Sequence, residues 1–156
     1  MITLIWAQTK NGVIGKQNKL PWNIKEEMQH FINYTRGKTI LMGRNTWESL
    51  SVKPLPNRKN ILITSRNLEK GYNNLELSND LEKVLEKYKF IDEELVVIGG
   101  SQIYSSALKY ADKLVVSVIK EEFEGDTFAP LFDREKFKII EEKDFKDFIA
   151  YYYERY

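Results

Sequence analysis

The sequence predicts an α/β fold: a single-domain three-layer sandwich over residues 1–156, with a twisted, mostly parallel central sheet, an antiparallel C-terminal strand and helices on both faces. Three observations predict it. Strand-like and helix-like stretches alternate through most of the chain. Ile2–Ala7 is an unbroken run of strand formers, the pattern of a buried strand, and Lys38–Met42, Asn60–Thr64 and Glu94–Ile98 each carry a short apolar core that reads as a further strand. The chain then closes on Phe137–Ile140 and Phe148–Tyr153, strand-rich sequence that suits an antiparallel end.

Ile2–Ala7 is the first strand. The connection Gln8–Trp22 carries Gly12, Gly15 and Pro21 and is long for a compact domain, as binding loops often are. A helix follows from Asn23 or Ile24 to about Arg36, stopped by Gly37; Asn23 with Glu26 three residues on has the form of a capping box. After the strand Lys38–Met42 comes a short helix through Leu50, then a loop with Pro54 and Pro56. The strand Asn60–Thr64 ends in Ser65-Arg66-Asn67, and Leu75–Leu77 reads as a short strand. Ser78 or Asn79 is placed to cap a helix to about Lys89, with Leu81, Val84, Leu85 and Tyr88 on one face. The central strand Glu94–Ile98 breaks at Gly99-Gly100 into a helix to about Tyr110; the strand Lys113–Ile119 and an acidic loop to Pro130 follow.

The chain's length suits one domain with a full core. With 24 Lys+Arg against 23 Asp+Glu there is no strong field, which argues against a general nucleic-acid or anionic-membrane binder. There is no cysteine, so disulfides and thiol chemistry are excluded; no metal site is expected around one histidine. His30 falls on the outer side of its helix and reads as a surface residue. No segment is long and apolar enough for a membrane span, and the N-terminus has no targeting pattern, which points to the cytoplasm.

The chemistry begins with the helix after Trp22. At about 100° per residue, Ile24, Glu27, Met28, Phe31 and Thr35 share one face. Nothing in folding calls for a carboxylate there, because an unpaired buried one costs several kcal/mol or takes up a proton, so Glu27 is expected to meet a polar ligand. Burial would raise its pKa and a cationic ligand would lower it; the sequence does not rank the two. Three strand ends also gather polar groups: Gly43-Arg44-Asn45-Thr46, Thr64-Ser65-Arg66 and Gly99-Gly100-Ser101. Ligands bind at the strand C-termini of open α/β sheets, so these clusters suggest a dinucleotide with a 2′-phosphate; GxGxxG is absent.

In order and spacing the chain resembles dihydrofolate reductase of the bacterial chromosomal type over essentially its whole length. The matching stretches are Asn11-Gly12-Val13-Ile14-Gly15, Leu20-Pro21-Trp22, Met42-Gly43-Arg44 with Thr46-Trp47-Glu48-Ser49, Leu55-Pro56-Asn57-Arg58-Lys59-Asn60, Ile98-Gly99-Gly100 with Ile103-Tyr104, and Glu124-Gly125-Asp126-Thr127. The resemblance implies NADPH-dependent reduction of 7,8-dihydrofolate to 5,6,7,8-tetrahydrofolate for one-carbon metabolism, inhibition by antifolates, and a monomer. Glu27 stands at the family's active-site acid and Ser117 where a threonine is usual. By the same resemblance Trp22 would hold a water near the pterin and Tyr104 would lie beside the nicotinamide. Ile5 and Ile98 offer backbone carbonyls. Ala7, Leu20, Met28, Phe31 and Leu55 resemble the residues that line the substrate, Arg58 the one that pairs with its glutamate tail, and Lys53 one that assists at the rim. Ala7, Val13, Ile14, Gly15, Asn18 and Lys19 resemble the nicotinamide-ribose contacts. Gly43, Arg44, Asn45, Thr46 and Gly99, Gly100, Ser101, Gln102, Ile103 resemble the pyrophosphate cradle, and Thr64, Ser65, Arg66 the 2′-phosphate corner.

The chain departs from the family pattern in four places. Trp6 replaces a small or aliphatic residue, Gln102 a frequent Arg, and Ala129 a frequent aromatic, while one residue is inserted between Leu50 and Pro54. Two alternatives remain from the sequence: a reductase of another pterin or pyrimidine, and a nucleotide-binding module without catalysis.

Overall fold

The computed structural model describes residues 1–66 and 71–156; Asn67 of the third strand's end lies outside them. Among the described residues ten strands and four α-helices follow in the order β1 (Ile2–Thr9), β2 (Val13–Gly15), α1 (Lys25–Thr35), β3 (Thr39–Gly43), α2 (Arg44–Ser49), β4 (Lys59–Ile63), β5 (Leu75–Ser78), α3 (Leu81–Lys89), β6 (Leu95–Gly99), α4 (Ser101–Ala107), β7 (Lys113–Ile119), β8 (Thr127–Phe128), β9 (Phe137–Asp144) and β10 (Phe148–Arg155). Eight strands form one sheet in the order β5-β4-β3-β6-β1-β7-β10-β9. The pairs from β5 to β7 are parallel, while β10 runs antiparallel to both β7 and β9. The α/β architecture with a parallel centre and an antiparallel C-terminal end is therefore as expected.

Handedness decides which face each helix covers. From β1 the chain steps through α1 to β3 and through α2 to β4, moving toward one edge of the sheet. From β5 it returns through α3 to β6 and through α4 to β7. Right-handed crossovers in opposite directions place their helices on opposite faces. Accordingly, Ile5, Met42, Val96 and Ile98 pack with Trp47 and the α1 residues Phe31 and Tyr34. Ile2, Leu4, Leu41 and Val97 pack on the other side with Val84, Leu85 and Tyr88 of α3 and Tyr104 and Ala107 of α4.

Several local expectations are corrected. The connection Gln8–Trp22 is not all loop: β1 runs to Thr9, and β2 pairs antiparallel with β8, itself a strand within the expected acidic loop. The capping box does not form; Ile24 is the cap residue of α1, and no side chain caps the helix. Asp80, rather than Ser78 or Asn79, caps α3, accepting from the Lys83 amide at 3.1 Å. The helix after Gly100 ends at Ala107 and continues to Tyr110 only as a 3-10 turn. His30 is not a plain surface residue. Its Nε2 lies 2.8 Å from the Tyr152 hydroxyl, and its ring meets Phe145, Phe148 and Tyr152 edge-on, because β10 passes close beside α1.

Candidate active site

The site follows from a break in the sheet. Adjacent strands β1 and β6 pair only from Ile2 to Leu4 and Leu95 to Val97, although both continue further. They are followed by helices on opposite faces, so the crevice at their C-terminal ends is the topological switch point where α/β sheets bind ligands. Past Leu4 the Ile5 carbonyl has no strand partner from β6; it accepts instead from the buried Tyr104 hydroxyl at 2.6 Å. Ile98 stands across the gap. Ala7 is in register with Ser117 of β7, which is itself in register with Ala150 of β10.

Helix α1 roofs this crevice. Glu27 in its first turn is buried, at 8% exposure. Burial raises its pKa from 4.5 to about 7, desolvation being the larger of the two effects that the protein itself supplies. Trp22, also buried, lies close enough that its indole N–H offsets part of that rise. That N–H has no partner at hydrogen-bond distance among the described residues. The carboxyl's charge and burial together push the Tyr104 hydroxyl pKa upward, burial being the larger cause. Phe31 and Leu55 are half-buried beside the crevice, whereas Leu20 and Met28 are 48% and 45% exposed. Met28 therefore lies at the edge of the face it shares with Glu27.

Arg58 is buried along α1. Nε donates to Thr35 Oγ1 at 3.0 Å and Nη2 to the Ile32 carbonyl at 3.1 Å, while Nη1 donates to the Pro56 carbonyl. A guanidinium carries five N–H groups, so two remain for a ligand. Burial, then the Arg36 charge, lower its pKa. Lys53 turns to the end of α2, its Nζ donating to the carbonyls of Trp47 and Glu48 at 3.4 and 3.5 Å.

At the neighbouring strand ends Gly43 and Gly99 face one another across closely packed side chains. A Cβ on Gly43 would lie 3.0 Å from Ile103 Cγ1; one on Gly99 would lie 2.9 Å from Thr46 Oγ1. Gly99 has φ +136°, a conformation that favours glycine, and its peptide to Gly100 is cis. Arg44 gives Nε to Glu48 at 2.8 Å, while its Nη1 is buried without a partner among the described residues. Gln102 is exposed, with Ser101 and Ile103 partly covered. Thr64 Oγ1 accepts from the Arg66 amide at 3.2 Å, with Ser65 exposed between them. The segment Val13–Lys19 is closed by backbone bonds between Lys16 and Lys19, by the Gln17 amide donating to Asp126 at 3.0 Å, and by Asn18 reaching the Asn45 carbonyl at 3.3 Å.

Trp6 packs on the face away from α1, against Tyr104 and Phe132, and so does not narrow the cleft roofed by Glu27. Ala129 packs against the same cluster. Sequence reasoning gave no role to Asp126 or Asn60. The run Gly125-Asp126 was the available signal for the first; a polar residue inside an apolar strand was the signal for the second. No cluster of candidate metal ligands occurs among the described residues.

The family model described as dihydrofolate reductase matches residues 1–156. The dihydrofolate reductase of Ureaplasma parvum serovar 3 is 40% identical over 153 residues, covering 98% of this chain and 96% of its own. That of Neisseria meningitidis serogroup A is 44% identical over 140 residues, covering 90% and 85%. A solved structure of dihydrofolate reductase from Enterococcus faecalis, complexed with NADP(H) and RAB-propyl, superposes with a TM-score of 0.86 at 32% identity, covering 99% of this chain and 96% of that one. These comparisons make the chain an NADP-dependent oxidoreductase. The chain belongs to the dihydrofolate reductase family.

Proposed function

We propose that this chain, acting as a single-domain monomer in the cytoplasm, reduces 7,8-dihydrofolate to 5,6,7,8-tetrahydrofolate with NADPH, using the residues around the β1–β6 gap. The observation that carries the assignment is Glu27: a carboxyl buried on α1, held near neutrality by desolvation, with the indole N–H of Trp22 beside it.

The pterin's 2-amino group and N3–H donate to the Glu27 carboxylate, replacing the water it has lost and drawing its pKa back down. Ser117 sits at the floor of the same end, in register with Ala7. The carbonyls of Ile5 and Ile98 flank the gap and suit an exocyclic amine, including that of an antifolate. Met28, Phe31, Leu55, Ala7 and Leu20 wall the aromatic linker, and the two free N–H groups of Arg58 take the tail carboxylate. Lys53 serves α2, which supports a role at the rim only.

The cofactor's phosphates fit the residues present. Arg44 Nη1 is a buried donor awaiting an anion, Gly43 and Gly99 leave the close approach that a side chain would block, and Thr46 lines the turn. Asn45 and Gly100 to Ile103 complete that cradle. Thr64, Ser65 and Arg66 offer hydroxyls and a guanidinium for the 2′-phosphate, and Val13, Ile14, Gly15, Asn18 and Lys19 close over the ribose. Bound NADPH supplies the hydride that ends on pterin C6. Glu27 polarises the ring, Trp22 and Glu27 together hold the water that delivers a proton to N5, and Tyr104 keeps the Ile5 edge of the nicotinamide subsite in place.

The test is the fall in absorbance at 340 nm when purified protein and NADPH receive dihydrofolate. One NADPH consumed per dihydrofolate is the expected result; no consumption overturns the assignment. Turnover only with another pterin or a pyrimidine substrate would favour that alternative reductase.

A further inference from the structure

Asn60 is the second residue of β4, fully buried between the exposed Lys59 and the buried run Ile61-Leu62. A buried amide is destabilising unless its hydrogen bonds are made. They are made to the loop that precedes the strand. Asn60 Oδ1 accepts from the Leu55 amide at 3.0 Å, and Nδ2 donates to the Leu55 carbonyl at 3.0 Å and the Arg58 carbonyl at 3.2 Å. One carboxamide thus closes a reciprocal pair with the backbone of Leu55 and holds the backbone of Arg58. The side chain of Arg58 is gripped from elsewhere, by Thr35, Ile32 and Pro56, and Thr35 Oγ1 in turn donates to the Phe31 carbonyl at 2.8 Å. The rigid strand is joined through Asn60 to the loop, and through Arg58 to α1.

We propose that Asn60 is the positioning residue for the tail end of the substrate cleft: its carboxamide sets the spacing of Leu55 and Arg58, and so the enzyme's preference for substrates bearing a carboxylated tail. Asn60 touches no substrate. It acts by fixing one loop geometry, in which Leu55 faces the linker and two N–H groups of Arg58 face the carboxylate. A buried amide is suited to this because its donors and acceptor are satisfied together only when the loop lies in that place. The proposal rests on the assignment of Leu55 and Arg58 to the tail.

The test compares KM and kcat for 7,8-dihydrofolate and for 6-methyl-7,8-dihydropterin, which lacks the tail, in Asn60→Asp and Arg58→Ala. Asn60→Asp keeps the shape but turns two donations into repulsions with the Leu55 and Arg58 carbonyls. Expected for Asn60→Asp is a KM for dihydrofolate raised about tenfold, kcat within about twofold, and little change in KM for the tail-less pterin. Arg58→Ala should raise the KM for dihydrofolate by a larger factor than the KM for the tail-less pterin, and the double variant should cost less than the two single effects combined. If Arg58→Ala affects both substrates equally, the tail assignment fails. If Arg58→Ala discriminates but Asn60→Asp changes both substrates alike or neither, Asn60 is structural and the proposal is overturned. Asn60→Ser is the second variant if the aspartate does not fold, as judged by circular dichroism and NADPH binding. Failure of both to fold also overturns the proposal.

Discussion

Glu27 is where stability and function conflict at the scale of a single residue. Its carboxyl holds a proton more tightly in the folded protein than in the unfolded chain, since burial moves the pKa from 4.5 to about 7. Its contribution is therefore most favourable below pH 4.5 and is lost as pH rises through about 7. At about 1.4 kcal/mol per pH unit, the full loss is on the order of 3 kcal/mol. Glu27→Gln, which cannot ionise, should raise the melting temperature by several degrees at pH 8 and by little at pH 4.5; an increase of equal size at both would contradict the cause assigned. This acid was legible in the sequence because helical periodicity put it among Ile24, Phe31 and Thr35. The spending of Lys53 on the carbonyls of α2 was not legible, because a one-residue insertion leaves direction undetermined.

Three anchors hold α1 as an element over the crevice. Arg58 binds its C-terminal turn, Tyr34 donates to Glu94 at 2.7 Å beside Thr3 and Lys38, and His30 meets Tyr152 on β10. Burial, then the charge of Lys143, lower the pKa of His30 from 6.5. The folded protein thus gives up this proton more readily than the unfolded chain, and the stability His30 contributes is present above pH 6.5 and falls below it. Glu26 on the same helix and Tyr152 and Lys143 on the facing hairpin line the groove it borders. Measured by urea unfolding, the stability advantage of wild type over His30→Gln should shrink as pH falls from 7.5 toward 5; a constant difference would refute the linkage. Periodicity placed His30 on the outer side correctly, yet it says nothing about which neighbour covers that side. The β10 strand comes from more than 100 residues away, and no local pattern announces its approach. The same holds for β2 and β8, each too short to be seen without the other.

For the whole molecule, the order of the strands and the hand of the crossovers are what create a site. Reversal of the chain's direction across the sheet puts α1 and α4 on opposite faces after neighbouring strands, and the ladder between β1 and β6 ends at Leu4 and Val97. Apolar runs made the parallel centre readable, and Gly43, Gly99 and the Arg-bearing strand ends marked the binding edge. The separation of the two strands was not readable, because Ile5 and Ile98 look like any other core residues until their partners are known. Everything proposed for the chemistry converges on that gap and on the acid above it. The most direct measurement is single-turnover hydride transfer at pH 7 in Glu27→Ala with NADPH binding intact. The expected loss is at least about 100-fold relative to wild type, the low end of what a positioned acid–base group supplies. A rate within a few-fold of wild type would contradict it.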